Sequence, residues 1–255
     1  MRLVIKVGTS TLAHPSGKLN IRRVEKICKV LSDLKNAGNN VVLVSSGAIG
    51  MGMGKLNLAS RPSDMSEKQA AAAVGQCELM YTYDKLFKDY NHTVAQILVT
   101  GDDIENVNRR NCFKDTVFKL IELGVIPVIN ENDTVSTQEI SVGDNDTLAA
   151  IVAVNIKADL LILLSDIDGL YTADPNKDGK AELINEVNEI NDKIYSLADG
   201  AVSKFGTGGM ATKIKAAKIC TDNGIDLVIL NGDYPEFLYK AVAGERAGTR
   251  FIGKK

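Results

Sequence analysis

Between Asn130 and Asp146 the chain reads NENDTVSTQEISVGDND, five carboxylates and four carboxamides with no lysine or arginine among them. The run follows the apolar stretch 125–129, so its polar groups should emerge at a strand's carboxyl end, where open α/β sheets place their ligand crevices. The chemistry it suits is the binding of positive charge: an ammonium group, a metal ion or a magnesium-bound phosphate substrate. An acidic surface loop with Asx turns is the plainer alternative.

Lys6 is a second anomaly, because it interrupts the apolar run 3–7. An ammonium buried there without a partner would cost several kcal/mol. At the strand's carboxyl end it would instead meet a phosphate, with Gly8, Thr9, Ser10 and Thr11 supplying close backbone approach and hydroxyl donors; on an edge strand it would reach solvent. Residues 44–54, VSSGAIGMGMG, follow another strand-like run and could let backbone N–H groups converge on an anion. A flexible surface loop has the same composition, and the GxGxxG spacing is missed.

Gly206, Thr207, Gly208 and Gly209 lead into a helical pattern through Met210, Ala211, Thr212 and Lys213. A glycine-rich loop entering a helix turns unpaired N–H groups and the positive dipole end towards a ligand, with Lys213 as a mobile charge. Incidental glycines at a helix start are the alternative, and the Walker A pattern is absent. Residues 163–175, LLSDIDGLYTADP, leave a strand through Ser165 and Asp166, a hydroxyl and a carboxylate suited to ribose or adenine, or to a structural turn alone.

The elements needed to position these groups follow from periodicity. Strand-like runs at 3–7, 41–44, 94–99, 125–129, 160–164 and 227–230, most of them continuously apolar, predict strands buried on both faces. Helical patterns at 21–35, 67–87, 109–123, 147–156 and 211–221 alternate with them, and 134–142 reads as a hairpin off the main sheet. The fold class expected is α/β, a doubly wound three-layer αβα sandwich with a mainly parallel central sheet. No linker composition divides the chain, so a single domain, 1–255, is expected.

Bulk properties narrow the function classes. A chain of 255 residues, 45% hydrophobic and 24% charged, can bury a sizeable core. Its net charge of -2 argues against nucleic acid as a partner. Cys28, Cys77, Cys112 and Cys220 lie far apart with no CxxC pair, which fits reduced thiols better than zinc or disulfides. With no apolar run of signal or membrane-spanning length, a cytoplasmic protein away from membranes is expected.

Taken together the four blocks resemble the amino acid kinase superfamily over essentially the whole chain. A segment like DGLYTADP recurs across that superfamily and implies only its nucleotide site. SSGAIGMG, PVINENDTV with VGDNDTLAA, and GTGGMATK together are similar to the glutamate 5-kinase family. The resemblance implies ATP-dependent phosphorylation of the γ-carboxylate of L-glutamate to γ-glutamyl phosphate, the first step of proline biosynthesis. By motif it implies that Lys6 and Lys213 contact the transferring phosphates and that Asp146 orients them. It places Ser46, Asp133 and Asn145 on glutamate, with Gly47, Asn130 and Asp144 nearby. Ser165 and Asp166, with Thr207, Gly208, Gly209, Met210, Ala211, Thr212 and Lys213, should hold the nucleotide, and Mg2+ should arrive with ATP rather than on protein side chains. Proline as a feedback inhibitor, handover of the acyl phosphate to γ-glutamyl phosphate reductase, and a homo-oligomer are further expectations. Many bacterial members carry a C-terminal PUA domain; this sequence stops at Lys255, soon after the kinase unit should close, so a form without it is expected.

The implied chemistry suits these residues. A carboxylate with a reference pKa of about 4.3 is ionised at pH 7 and attacks phosphorus without a general base, consistent with His14 and His92 falling outside all four blocks. What is required is cations, because an anionic acceptor must approach an anionic phosphate. Two rivals stand: a non-catalytic amino acid or nucleotide sensor, and a superfamily kinase acting on UMP or aspartate. A UMP site would need positive charge that the acidic run lacks.

Overall fold

The computed structural model describes residues 1–14, 16, 18–136, 144–175, 177–199 and 209–255. Each long apolar run forms a strand: β1 (Arg2–Val7), β2 (Asn40–Ser45), β3 (Val94–Val99), β4 (Ile126–Glu131) and β5 (Leu160–Ser165), with β6 (Glu186–Val187), β7 (Asp226–Asn231) and β8 (Thr249–Phe251) completing the set. They make one eight-stranded sheet in the order β3-β4-β2-β1-β5-β7-β8-β6. Every pairing is parallel except that of β7 with β8. The central strands β1, β2, β4 and β5 therefore end at the same edge and deliver their last residues to one crevice.

The helices are α1 (Thr9–Leu12), α2 (Ile21–Asn36), α3 (Ala48–Leu56), α4 (Met65–Lys88), α5 (Gly101–Glu105), α6 (Val107–Glu122), α7 (Asn145–Asn155), α8 (Asp192–Asp199), α9 (Met210–Asp222) and α10 (Phe237–Val242). Two cores result, one on each face of the sheet. Leu3, Ile5 and Val7 pack with α2, α4 and α10, whereas Val4, Leu161 and Leu163 pack with α6, α7 and α9. This two-residue alternation is what a strand buried on both faces requires. The architecture is the expected α/β three-layer sandwich.

Several elements depart from the sequence expectation. Residues 48–56, overlapping the glycine-rich stretch, form the helix α3 rather than a loop. Its glycines are there for packing. A Cβ on Gly52 would stand 1.8 Å from the Ala71 carbonyl oxygen, and one on Gly75 of α4 would stand 1.7 Å from that of Ala48. Only glycine lets these two helices approach so closely. The strands β6 and β8 and the helices α1, α5, α8 and α10 also go beyond the expected set, all of them short. Of the hairpin expected at 134–142, a turn closes with the Val135 and Ser136 N–H groups donating to the Asn132 carbonyl; residues 137–143 lie outside the described residues.

Candidate functional site

Lys6 shares its strand parity with Val4, so its side chain projects towards the layer of α7 and α9. There it meets the first turns of both helices. Lys6 Nζ lies 2.7 Å from Asp146 Oδ1, and Lys213 Nζ lies 3.1 Å from Asp146 Oδ2. The Thr212 hydroxyl donates to the same Oδ2 at 3.0 Å. Lys6 is 9% exposed, Lys213 5% and Asp146 1%. Burial would push the Asp146 carboxyl upward, but the two ammonium groups prevail and hold it below the usual carboxylate range. Among the described residues two positive charges stand beside this one negative charge, next to two helix N-termini whose dipoles add to the positive side. Gly8 keeps the approach to the ammonium clear, since a Cβ there would lie 3.3 Å from Lys6 Nζ.

Beside this cluster runs a strip of amides. The Glu131 N–H donates to Asn130 Oδ1 at 2.9 Å, which fixes that atom as the acceptor. Asn145 Nδ2 donates to the same Asn130 Oδ1 at 3.1 Å, to Ser46 Oγ at 2.8 Å and to the Ser45 carbonyl at 3.2 Å. Asn130 Nδ2 then donates to Gln76 Oε1 on α4 at 2.9 Å. The strip ties β2, β4, α4 and α7 together. Because Ser46 Oγ accepts from Asn145, its own proton remains available to a ligand. Gly47 follows in the left-handed region, at φ 98°, and serves as the N-cap of α3; that conformation favours glycine.

At the Gln76 end lies a cavity of about 230 Å³ whose lining includes Glu131, Asn132, Asp133 and Thr134. Among the described residues no lysine, arginine or histidine lines it. Burial first, and then the charge of Glu131, push the Asp133 carboxyl up to about 6, with Arg61 pulling weakly the other way. Such a carboxylate is short of a cation. A larger cavity of about 480 Å³ opens beside Thr9, Ser10 and Asp166.

The structure brings Lys6, Asp146 and Lys213 into contact, and it joins Ser46, Asn130 and Asn145 by hydrogen bonds. Asp133 sits in the adjacent cavity. Asp144 is the N-cap of α7, its two oxygens accepting from the Thr147 N–H and hydroxyl at 2.8 and 2.9 Å. Ser165 is buried and donates to the exposed Asp166 at 3.1 Å. Gly209 is the N-cap of α9, the Met210 side chain is buried in the core, and the Ala211 side chain is exposed. Thr207 and Gly208 lie outside the described residues. Gln76 and Arg61 join the site without having been expected there; neither stands in a motif, and only the fold brings them to Asn130 and Asp133.

Residues 1–231 match the family model described as the amino acid kinase family. A glutamate 5-kinase of Clostridium perfringens is 51% identical over an alignment covering 100% of this chain and 96% of its own. One of Clostridium acetobutylicum is 55% identical, covering 99% and 95%, and one of Caldanaerobacter subterraneus is 50% identical, covering 100% and 68%. Among solved structures, an isopentenyl phosphate kinase of T. acidophilum superposes with a TM-score of 0.69 at 16% identity, covering 98% of this chain and 100% of that one. A carbamate kinase from Giardia lamblia bound to AMP-PNP gives 0.68 at 17%, covering 99% and 98%. At such identities the likeness is one of fold.

Proposed function

The chain belongs to the amino acid kinase family, and from its full-length similarity to glutamate 5-kinases we infer that it phosphorylates the γ-carboxylate of L-glutamate with ATP. The product is γ-glutamyl phosphate, and the reaction is the first step of proline biosynthesis. What supports this reading at the level of residues is one arrangement: the amide strip connects a buried two-lysine cluster with an acid-lined cavity that has no cationic side chain among its described lining residues.

Each part has a task in the transfer. Lys6 and Lys213 meet the phosphate oxygens over which charge spreads, and a well-placed cation in such a reaction is worth roughly 10³ to 10⁵ in rate. Asp146 holds the two ammonium groups in register and moderates their mutual repulsion before ATP arrives. The Ser46 hydroxyl, already accepting from Asn145, donates to the γ-carboxylate, and Gly47 gives backbone approach. Asp133 takes the substrate's ammonium, with Asn130 and Asn145 lending amide oxygen and hydrogen. Asp144 acts through the start of α7, keeping Asn145 and Asp146 in place.

Ser165, Asp166 and the first turn of α9 from Gly209 to Lys213 suit the nucleotide, together with Thr207 and Gly208. Among the described residues no three His, Cys, Asp or Glu side chains are grouped to hold a metal ion. Magnesium fits the site as the ATP chelate, held chiefly by phosphate oxygens; when bound it neutralises charge on the transferring phosphoryl group.

Proline shares an amine and an α-carboxylate with glutamate and fits the same cavity as a feedback inhibitor. We extend the proposal to handover of the acyl phosphate to a reductase and to self-association through α4, where Tyr81 is exposed. Four free thiols suit a reducing compartment such as the cytoplasm. No described helix is long and apolar enough to cross a membrane. Offering L-glutamate, aspartate and UMP in turn while following ADP release tests the assignment: only glutamate should drive turnover. A non-catalytic sensor would release no ADP with any of them.

A further inference from the structure

We propose that Gln76, a residue of α4, is a further substrate-contacting residue, whose side-chain amide N–H donates to the α-carboxylate of bound glutamate. The inference rests on the glutamate 5-kinase reading and extends it to the other end of the substrate. Its starting point is the fixed polarity of the amide strip. The backbone N–H of Glu131 can only donate, so Asn130 Oδ1 is the acceptor and Asn130 Nδ2 the donor. Gln76 must then present Oε1 to Asn130, which turns its Nε2 away. That nitrogen is buried and has no acceptor among the described residues, while Gln76 as a whole is 8% exposed.

A buried amide donor without an acceptor carries a desolvation penalty of about 1–3 kcal/mol, and a ligand that supplies the acceptor relieves it. Gln76 lines the 230 Å³ cavity that also holds Asp133 and Glu131. An α-amino acid headgroup brings one cation and one anion. The carboxylates suit the cation. With no basic side chain among the described lining residues, the anion falls to neutral donors, and the Gln76 amide, on a residue of that lining, is one whose N–H has no acceptor among the described residues. The γ-carboxylate belongs at the other end of the strip, where Asn145 and Ser46 adjoin the lysine cluster. Gln76 thus reads the substrate's α-carboxylate while holding Asn130 through its other amide atom.

The test separates contact from mere support. The chain holds four glutamines, at 69, 76, 96 and 138, so labelling with side-chain ¹⁵N-glutamine gives few amide signals, and Gln76→Met identifies the one in question. L-Glutamate should move the Gln76 amide protons downfield, whereas ATP alone, or 4-aminobutyrate, which lacks the α-carboxylate, should leave them in place. In assays Gln76→Met should raise the glutamate KM about ten- to hundredfold, the range expected for a hydrogen bond to a charged group, with the ATP KM within about twofold. A Gln76 signal indifferent to glutamate in an enzyme that turns glutamate over, or an equal shift with 4-aminobutyrate, overturns the proposal. Absence of glutamate-dependent ADP release by the unmodified enzyme would instead remove the functional reading beneath it.

Discussion

The Lys6 ammonium and the Asp146 carboxylate lie 2.7 Å apart, both buried, one at the end of the central strand and the other in the first turn of α7. Lys213 approaches the second carboxylate oxygen, so one anion serves two cations. Removing one partner of a buried pair typically costs about 3–5 kcal/mol, because an uncompensated charge remains. Asp146→Asn should therefore lower stability by about that much in urea unfolding and reduce kcat by more than tenfold. ATP with magnesium should restore part of the lost stability, since phosphate replaces the missing negative charge.

Lys213→Ala should affect turnover far more than binding. In the proposed reaction its ammonium meets the transferring phosphate, and it does not line the cavity assigned to the amino acid. We expect kcat to fall about 10³-fold with the glutamate KM within a few-fold of its original value. Steady-state kinetics with each substrate varied in turn would check this, and unchanged turnover would remove Lys213 from the chemistry.

Asp133 gives the site a pH dependence. Its carboxyl is raised from 3.8 to about 6, so between those values the folded state holds a proton that the unfolded state has released. Stability of the free protein should then fall as pH rises from about 4 to about 6, by roughly 3 kcal/mol for this group alone. With Asp133 as the proposed ligand of the substrate ammonium, glutamate binding calls for its ionised form, and kcat/KM for glutamate should drop about tenfold per unit below pH 6. Asp133→Asn should lose that limb of the profile along with most of its glutamate affinity.

The same carboxylate should enforce a free amine. An N-acetylated glutamate would bring no cation to Asp133 in a confined cavity. Sites built around a polar partner can reject the analogue lacking it by about 10⁴, and we expect at least a hundredfold lower kcat/KM for N-acetylglutamate. Equal activity on the two acceptors would contradict the assignment of Asp133.

Gly75→Ala should separate α3 from α4. The added Cβ would collide with the Ala48 carbonyl, which follows directly on Ser46 and Gly47. Overpacking costs about 1–3 kcal/mol or more, a fall in Tm of several degrees at this chain length. Because the displaced segment carries Ser46, the glutamate KM should rise as well. Thermal unfolding and kinetics on one preparation would read both effects.

The main sheet is legible in the sequence because most of its strands are long and nearly continuously apolar, and α2 because Val24, Ile27, Leu31 and Leu34 repeat at helical spacing. The start of α3 is not. Glycine in a helix costs about 1 kcal/mol relative to alanine, so VSSGAIGMGMG reads locally as a loop; only the close approach of α4, invisible along the chain, makes glycine the favoured residue. Strands β6 and β8, of two and three residues, are too short to show a period. Lysine and acid pairing at Lys6, Asp146 and Lys213 is suggested by motif, and the parity of β1 explains it physically. Gln76 stands in an alanine-rich helix with no motif, and its role depends on a hydrogen-bond polarity that begins at the Glu131 backbone.

The central claim is that the chain makes an acyl phosphate on glutamate. Hydroxylamine traps such a product as a hydroxamate, and the measurement needs only purified protein, ATP, magnesium and each candidate acceptor. Hydroxamate should accumulate with L-glutamate and scarcely at all with aspartate or N-acetylglutamate. Hydroxamate from aspartate without any from glutamate, or none from either acceptor, would contradict the account.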